Sequence, residues 1–220
     1  MSQETYFANE RAEVAALLPA GVRHVLEVGC GEGHFARRVA GAESYWGVEP
    51  AAEAARMAAR RMDRVLQGTW YEVADQVPSQ RFNLVICNDV IEHMAEPELF
   101  LTSLRTKLVP AGWVVGSVPN VRYLPHLAEL LWQRDWRYRE AGILDRTHLR
   151  FFTESSLRRL FLQQGFRIET MVGLNAVVAL SPWPGKARWW LMQRALEAFT
   201  ARPQGDARWL QFGFRLRAPG

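Results

Sequence analysis

The sequence has few of the features that mark secreted, metal-stabilised or membrane-spanning proteins. Its only cysteines are Cys30 and Cys87, and no group of Cys and His residues has the spacing of a zinc site. No apolar run approaches the roughly 20 residues of a membrane helix, and the polar start MSQETYFANER contains no apolar signal core. These absences exclude a disulfide scaffold and a structural zinc site. We therefore expect a cytoplasmic protein that uses no metal.

The composition is that of a folded domain. With 49% hydrophobic and 23% charged residues among 220, the chain can bury a core, and we expect a single domain over residues 1–220. The net charge of +4 is unevenly distributed, because the segment from Trp183 to Gly220 holds seven Lys and Arg residues against two carboxylates. Such a segment attracts nucleic acid, an anionic membrane or a phosphorylated substrate, and charge alone does not separate these partners.

Short apolar runs alternate with segments of helical period, which predicts an α/β fold with a largely parallel sheet. Leu84–Cys87 is continuously apolar, as in a central strand, whereas Leu210–Leu216 alternates, as in an antiparallel strand with one exposed face. The predicted strands are His24–Val28, Tyr45–Glu49, Arg64–Gln67, Phe82–Asn88, Trp113–Val118, Phe166–Val172 and Leu210–Leu216.

Helix signals and long connections divide the rest of the chain. Pro97 begins one predicted helix, and Thr153 caps another that stops at Gly165. A further helix is predicted at about residues 5–18. Two segments, 119–152 and 173–209, exceed what simple connections need, and we expect them to act as lids.

The first predicted strand runs into a glycine-rich turn with the pattern E-x-G-x-G-x-G. Gly29, Gly31 and Gly33 allow positive φ and let a ligand approach bare backbone at the carboxyl edge of the sheet. A dinucleotide fingerprint would need a third glycine at position 34, which is histidine. The pattern indicates a nucleotide-like cofactor other than a dinucleotide.

Two acidic residues flank this turn. Glu27 precedes the first glycine by two positions and suits a cationic ligand, while Glu49 ends the second strand, where a carboxylate can accept two hydrogen bonds from a ribose diol. The alternative is that both acids are solvent-facing strand ends and the glycines form an ordinary turn.

The chain resembles the class I S-adenosylmethionine-dependent methyltransferases in four stretches, namely LEVGCGEGHF, GVEP, FNLVICNDVIEHM and LVPAGWVVGSVPN. A fifth stretch, ILDRTHLRFFTESSLRRLFLQQGF, is similar to a subgroup associated with methylation of bacterial polysaccharides and other small molecules. The resemblance implies a Rossmann-like, seven-stranded mixed sheet of order 3-2-1-4-5-7-6 with helices on both faces.

The resemblance also implies where the cofactor, S-adenosylmethionine, is held. Its methionine part would be surrounded by Glu27, Gly29, Cys30, Gly31 and Gly33. Glu49 would hold the ribose, and Pro50, Thr69 and Trp70 would lie near the adenine. Asn88, Asp89 and Val90 would close the site at the fourth strand.

Three histidines are candidates for the base that methylation of a hydroxyl requires. His93 lies at the carboxyl edge of the fourth strand and could instead be structural. His148 follows Asp145 by three positions, so that a helical segment would let the aspartate orient the imidazole. His126 lies on an apolar segment and suits a packing role. Because the chain lacks a [DN]-P-P-[YF] motif after the fourth strand, an oxygen acceptor is favoured over adenine or glutamine nitrogen.

Aromatic residues and arginines alternate in the first long insertion, which suits sugar rings and phosphates or a small local core with a charged surface. In the second insertion, Trp189 and Met192 follow helical spacing among basic residues. Such a helix, over about residues 183–200, could contact an anionic membrane or pack on its own domain.

We interpret the sequence as that of a methyltransferase that modifies a hydroxyl of a saccharide or other small metabolite. The alternatives are an RNA methyltransferase, a non-catalytic binding module with the same fold, and an NAD-dependent oxidoreductase. Nucleic acid is the less expected partner because no RNA-binding module is recognised, and His34 disfavours the oxidoreductase.

Overall fold

The computed structural model describes residues 11–177, 185–200 and 205–220, and its sheet has seven strands. In chain order, the strands are β1 (His24–Val28), β2 (Ser44–Glu49), β3 (Arg64–Gln67), β4 (Phe82–Asn88), β5 (Leu108–Pro119), β6 (Arg167–Ala176) and β7 (Trp209–Arg217). Their order in the sheet is β3-β2-β1-β4-β5-β7-β6, which confirms the predicted architecture.

Seven helices connect or flank these strands within the described residues. They are α1 (Ala12–Ala15), α2 (Ala52–Ala58), α3 (Trp70–Val73), α4 (Pro97–Lys107), α5 (Leu124–Gln133), α6 (Glu154–Gln163) and α7 (Gly185–Thr200). Short 3-10 turns cover His34–Arg38, Ala74–Gln76, Ile91–His93 and Gly205–Arg208.

The strand pairing brings the functional motifs to one edge. β1 pairs in parallel with β2 and with β4, and β4 pairs in parallel with β5, so that these four strands end on the same side. β7 is antiparallel to both β5 and β6. The turns that follow β1, β2 and β4 therefore meet at the carboxyl edge, where open α/β sheets bind ligands.

The core has a layer on each face of the sheet. One layer contains Phe100 from α4 and Phe161 from α6, and the other contains Val14 from α1 and Ala58 from α2. β4 is buried along nearly its whole length, as its continuous apolar run predicts. Helices on both faces account for this burial.

Several boundaries differ from those predicted. β5 begins at Leu108 rather than Trp113, because Pro110 and Gly112 lie within an irregular strand where the register to β4 shifts. The segment after the glycine turn is a 3-10 turn rather than a full helix. Of the predicted N-terminal helix, the structure describes a single turn, α1, and residues 5–10 lie outside the described residues.

The two predicted insertions contain local structure of their own. The first holds α5, and its ends meet at a bridge between Asn120 and Phe152. The second begins inside β6, which extends to Ala176, and then contains α7. Among the described residues, no helix combines the length and apolar character needed to cross a membrane.

Candidate functional site

The turn after β1 is held in a left-handed conformation. Gly29 has φ of 70°, and its amide donates to the carbonyl oxygen of Val48 at 2.8 Å. A Cβ at this position would lie 2.7 Å from Cγ2 of Val90, in the segment that follows β4. Glycine is therefore required both for the backbone angle and for the close approach of the two turns.

Glu49 closes this turn from the end of β2. One carboxylate oxygen accepts from the amide of Gly31 at 2.8 Å, and the other accepts from the amide of Ala51 at 2.9 Å. Burial raises the pKa of Glu49, while the two backbone hydrogen bonds oppose that rise. Glu49 is thus a buried group fixed in the crevice and not a solvent-facing strand end, which removes the alternative interpretation for this residue.

Glu27 is also buried, and its carboxyl group accepts a hydrogen bond from the Tyr45 hydroxyl at 2.8 Å. Burial raises its pKa to about 8, against the lowering effects of Tyr45 and of the nearby charge of Arg11. Near neutral pH much of this group is protonated in the absence of a ligand. A cation bound beside it would favour the ionised form.

Asp89 is the centre of a polar network immediately after β4. Its carboxylate accepts from Arg11 at 2.6 Å, from Gln211 at 2.7 Å and from Ser117 at 2.7 Å. Asp89 has φ of 52°, a conformation that is uncommon outside glycine but tolerated by aspartate. The network joins the N-terminal segment to β5 and β7 at the edge where β4 ends.

Asn88 supplies an observation that favours a ligand at this edge. It is buried, and neither its amide nitrogen nor its amide oxygen has a hydrogen-bond partner within the described residues. Buried polar groups are normally paired, so that an unpaired amide at the carboxyl end of β4 indicates a polar ligand. Together with Glu27 and Glu49, it fits a cationic nucleoside with ribose and amino-acid groups.

The three residues expected near the adenine differ in their exposure, because Pro50 and Thr69 are exposed and Trp70 is buried. Thr69 caps α3, with its amide and hydroxyl both donating to Glu72. The Trp70 side chain is buried against Phe100, with ring centroids 5.6 Å apart. Its indole packs in the core, and the placement of Trp70 near the adenine stays a prediction. Pro50 is exposed at the end of β2 and remains available.

His93 and His148 lie side by side, with ring centroids 4.8 Å apart. Nδ1 of His93 donates to the carbonyl oxygen of Thr147 at 3.1 Å, and Nδ1 of His148 donates to that of Ile143 at 2.9 Å. Each neutral ring therefore keeps its lone pair on Nε2. Burial and the neighbouring His148 lower the pKa of His93, which favours the neutral form.

Asp145 does not make the contact expected of it. Its carboxylate accepts from the amide and hydroxyl of Thr147, and the segment is a turn rather than a helix. The orientation of His148 comes instead from the carbonyl of Ile143 and from burial beside Glu92, whose carboxylate lies 4.0 Å from Nε2. The catalytic role predicted for Asp145 thus lacks its geometric basis.

Aromatic rings extend from these histidines into the first insertion. The ring centroid of Phe151 lies 6.5 Å from that of His148 and 5.1 Å from that of Trp136. The ring centroids of Trp136 and His126 are 5.1 Å apart. Trp136 and Tyr138 are partly exposed. The insertion therefore presents an aromatic surface next to the histidine pair, and His126 is part of its packing.

Sequence reasoning did not identify several residues of this site. Glu92 could have been noticed beside His93 in the fourth-strand motif, and Gln211 lies on the polar face of an alternating strand. The contacts of Arg11 and Ser117 with Asp89 join positions 78 and 28 residues apart, and no local pattern indicates them. Tyr45 was read only as an apolar strand residue.

Comparisons with known proteins agree with this geometry. A family model described as a methyltransferase domain matches residues 3–171. A tRNA U34 carboxymethyltransferase from Idiomarina loihiensis is 32% identical over 154 residues, covering 56% of this chain and 47% of that protein. A ubiquinone biosynthesis O-methyltransferase from Nitrobacter winogradskyi is 26% identical over 172 residues, covering 70% of this chain and 60% of that protein.

The chain thus spans about half of the length of the curated relatives it matches. Because one relative is named for action on tRNA, the expectation that nucleic acid is an unlikely partner is not supported. A S-adenosylmethionine-dependent methyltransferase from Archaeoglobus fulgidus has the same fold, with a TM-score of 0.67, 16% identity and coverage of 98% of this chain and 94% of that one. The glycine turn, the two buried acids and the matched domain agree, and the chain belongs to the class I S-adenosylmethionine-dependent methyltransferase family.

Proposed function

We propose that this domain transfers a methyl group from S-adenosylmethionine to a hydroxyl oxygen of a small, ring-bearing metabolite such as a saccharide. The observation that supports the proposal most is the position of His93 and His148. His93 ends the short turn Ile91–His93 that follows β4 and Val90, whose side chain approaches Gly29 of the glycine turn, and His148 packs against the His93 ring. A cofactor crevice and a proton acceptor then share one edge of the sheet.

The cofactor supplies a sulfonium-activated methyl group, so the protein has to bind, align and exclude water. Glu49 would hold the ribose hydroxyls, Glu27 would face the positive charge of the methionine part, and the unpaired amide of Asn88 would take a polar group of the ligand. Asp89, fixed by three donors, would keep the end of β4 in place.

Proton removal from the acceptor falls to the histidine pair. His93 is the more exposed of the two, and its lowered pKa keeps Nε2 free to accept a proton near neutral pH. His148 is buried behind it and packs against its ring. We assign the base to His93 and a positioning role to His148.

The aromatic surface of the first insertion suits the acceptor. Trp136, Tyr138 and Phe151 can stack on a sugar or phenol ring close to His148. A cavity of about 250 Å³ between α5 and α7 adds Trp132, Trp189 and Arg188 to this region. Aromatic faces next to guanidinium groups favour a ring that also carries phosphate.

Transfer of labelled methyl from S-adenosylmethionine to a panel of saccharides, phenols and their phosphates tests the proposal. His93→Gln should lower kcat by about 100-fold or more, as expected for loss of a general base, without changing cofactor affinity. His24→Gln is the matched control, since His24 lies at the opposite end of β1. Cofactor binding without transfer to any acceptor would favour the non-catalytic module instead.

A second candidate substrate is tRNA, because one relative is named a tRNA U34 carboxymethyltransferase. The arginines of the first insertion weaken this candidate, since Arg137 pairs with Asp135 at 3.0 Å and Arg146 pairs with Glu140 at 2.8 Å. Binding of bulk tRNA measured at 50 and 200 mM salt tests it. If the protein binds tRNA through its phosphates, the affinity for tRNA should fall steeply between these two salt concentrations.

We also propose that α7 contacts an anionic membrane. Trp189 and Met192 pack against the cluster that contains Leu124, which agrees with the alternative that this stripe packs on its own domain, so a membrane contact would use other residues of α7. Trp190 and Leu191 are 58% and 60% exposed beside basic residues. Co-sedimentation with phosphatidylglycerol vesicles should be lost in Trp190→Ala/Leu191→Ala and kept in Leu162→Ala, an equally exposed leucine on α6.

A further inference from the structure

Glu92 is a buried acidic residue next to His93 to which the proposed function gives no role. Its side chain is 1% exposed, and neither carboxylate oxygen has a hydrogen-bond partner within the described residues. An ionised carboxylate without a partner in the interior is costly, and a buried group of this kind normally pairs with a cation or with donors.

The groups around Glu92 are metal ligands by type. One ligand atom each from Glu92, His93 and His148 lies within 4.8 Å of the others. Tetrahedral coordination with bonds of about 2.1 Å places ligand atoms roughly 3.4 Å apart, so the most distant pair of these atoms needs to approach by at most about 1.4 Å. That is a side-chain adjustment and requires no change in the fold.

The two histidines already make the outer hydrogen bonds that metal-bound histidines make. Each ring donates its Nδ1 hydrogen to a backbone carbonyl, His93 to Thr147 and His148 to Ile143. Ligating histidines are commonly fixed in this way, because the outer hydrogen bond sets the tautomer and leaves Nε2 as the donor atom. The Nε2 atom of His148 faces Glu92 at 4.0 Å.

We propose that Glu92, His93 and His148 form a binding site for one divalent transition-metal ion at the carboxyl edge of β4. Two imidazoles and one carboxylate leave further coordination positions open, the arrangement of catalytic rather than structural zinc sites. The expectation of a protein without metal rested on spacing in the sequence, and this site combines residues 55 positions apart, which spacing cannot show.

The site also extends the proposed function, on which this step rests. A bound cation would accept the acceptor hydroxyl as a ligand and lower its pKa, so that its proton would pass to solvent water rather than to a histidine. The alkoxide would then attack the methyl carbon as the S–CH3 bond breaks, with S-adenosylhomocysteine as the leaving group. In the metal-free protein, His93 would take the proton as described above. In the metal-bound form the three side chains would thus be ligands, and in the metal-free form His93 would be the base.

Calorimetric titration of Zn²⁺ into the chelator-treated full chain tests the site, with visible absorption of Co²⁺ as a second readout of coordination. We expect one Zn²⁺ per chain and a loss of affinity of at least ~10-fold in Glu92→Gln and in His148→Gln. His24→Gln should bind as the wild type does. Circular dichroism establishes that each variant is folded.

Absence of stoichiometric Zn²⁺ binding, or equal binding by folded Glu92→Gln, would overturn the inference. These outcomes leave the proposed function intact if the metal-free chain still methylates its acceptor. Conversely, Zn²⁺ binding that depends on Glu92, in a protein that shows no methyl transfer, would support the site and contradict the proposed function.

Discussion

The carboxylate of Glu49 accepts a hydrogen bond from the backbone amide of Gly31 at 2.8 Å. This contact fixes the end of β2 to the glycine turn after β1 and holds both acids at one crevice. A buried carboxylate in this position is ready to exchange or share its hydrogen bonds with the hydroxyls of a ribose. The motif that indicates the family, the glycine turn with Glu49, is therefore also the part of the structure that is arranged to bind the cofactor.

Cofactor affinity should rise with pH. Glu27 has a pKa of about 8 without ligand, so a bound cation must displace its proton at lower pH. We expect affinity for S-adenosylmethionine to increase from pH 6 to pH 8 and then to level off, with proton release below pH 8. Calorimetry in buffers of different ionisation enthalpy measures both quantities.

Glu27→Gln should abolish this pH dependence, because glutamine can still accept from Tyr45 but cannot titrate. In the wild type, the contribution of Glu27 to the free energy of unfolding should fall as the pH rises, whereas cofactor affinity should increase. Since burial raises the pKa of Glu27 in the folded state, its stabilising contribution is complete below about pH 4.5 and is lost as the pH rises towards 8. An unchanged pH profile in the variant would assign the titration to another group.

Gly29→Ala should destabilise the fold and weaken cofactor binding. The substitution combines strain from a positive φ with a Cβ 2.7 Å from Val90. We expect a loss of about 2–4 kcal/mol in the free energy of unfolding, measured with urea. Gly41→Ala is the matched control, because Gly41 has φ of 79° but open space around it.

The control should cost only about 1 kcal/mol and leave binding unchanged. The difference between the two variants isolates the clash with Val90. Equal losses would mean that the turn can move away from Val90 and that close approach is not required there.

Arg11→Ala should destabilise the protein through Asp89. The pair is largely buried, and removing the guanidinium leaves a buried carboxylate with neutral donors only. We expect a loss of about 3 kcal/mol by thermal or urea unfolding. Arg23→Ala, which removes an exposed pair with Glu43, should leave the free energy of unfolding nearly unchanged. Similar losses for both would show that Arg11 does not stabilise the end of β4.

The sheet could be predicted well because its signals are local. β1, β3 and β4 have the predicted bounds, since each apolar run is bounded by turn or polar residues that end it. β5 was predicted to begin at Trp113, whereas it begins at Leu108 as an irregular strand that accommodates Pro110 and Gly112. The strand order came from the resemblance and not from the patterns of the strands.

The candidate site was predictable where its residues lie in one motif and not where the fold assembles them. Glu27 and Glu49 were found because each lies at the carboxyl end of a predicted strand, next to the glycine turn or the residue that ends the strand. The burial of Trp70 and the contacts of Asp89 and Glu92 depend on which distant segments pack together, and sequence spacing carries no such information.

Calorimetric titration with S-adenosylmethionine and S-adenosylhomocysteine, on the wild type and on Glu49→Gln, tests the central claim most directly. We expect one site per chain and an affinity reduced about 10- to 100-fold in the variant, as for loss of hydrogen bonds to a charged group. Glu53→Gln, an exposed acid on α2 paired with Arg56, should bind as the wild type does. Failure of both ligands to bind the wild type, or equal affinity in Glu49→Gln, would contradict it.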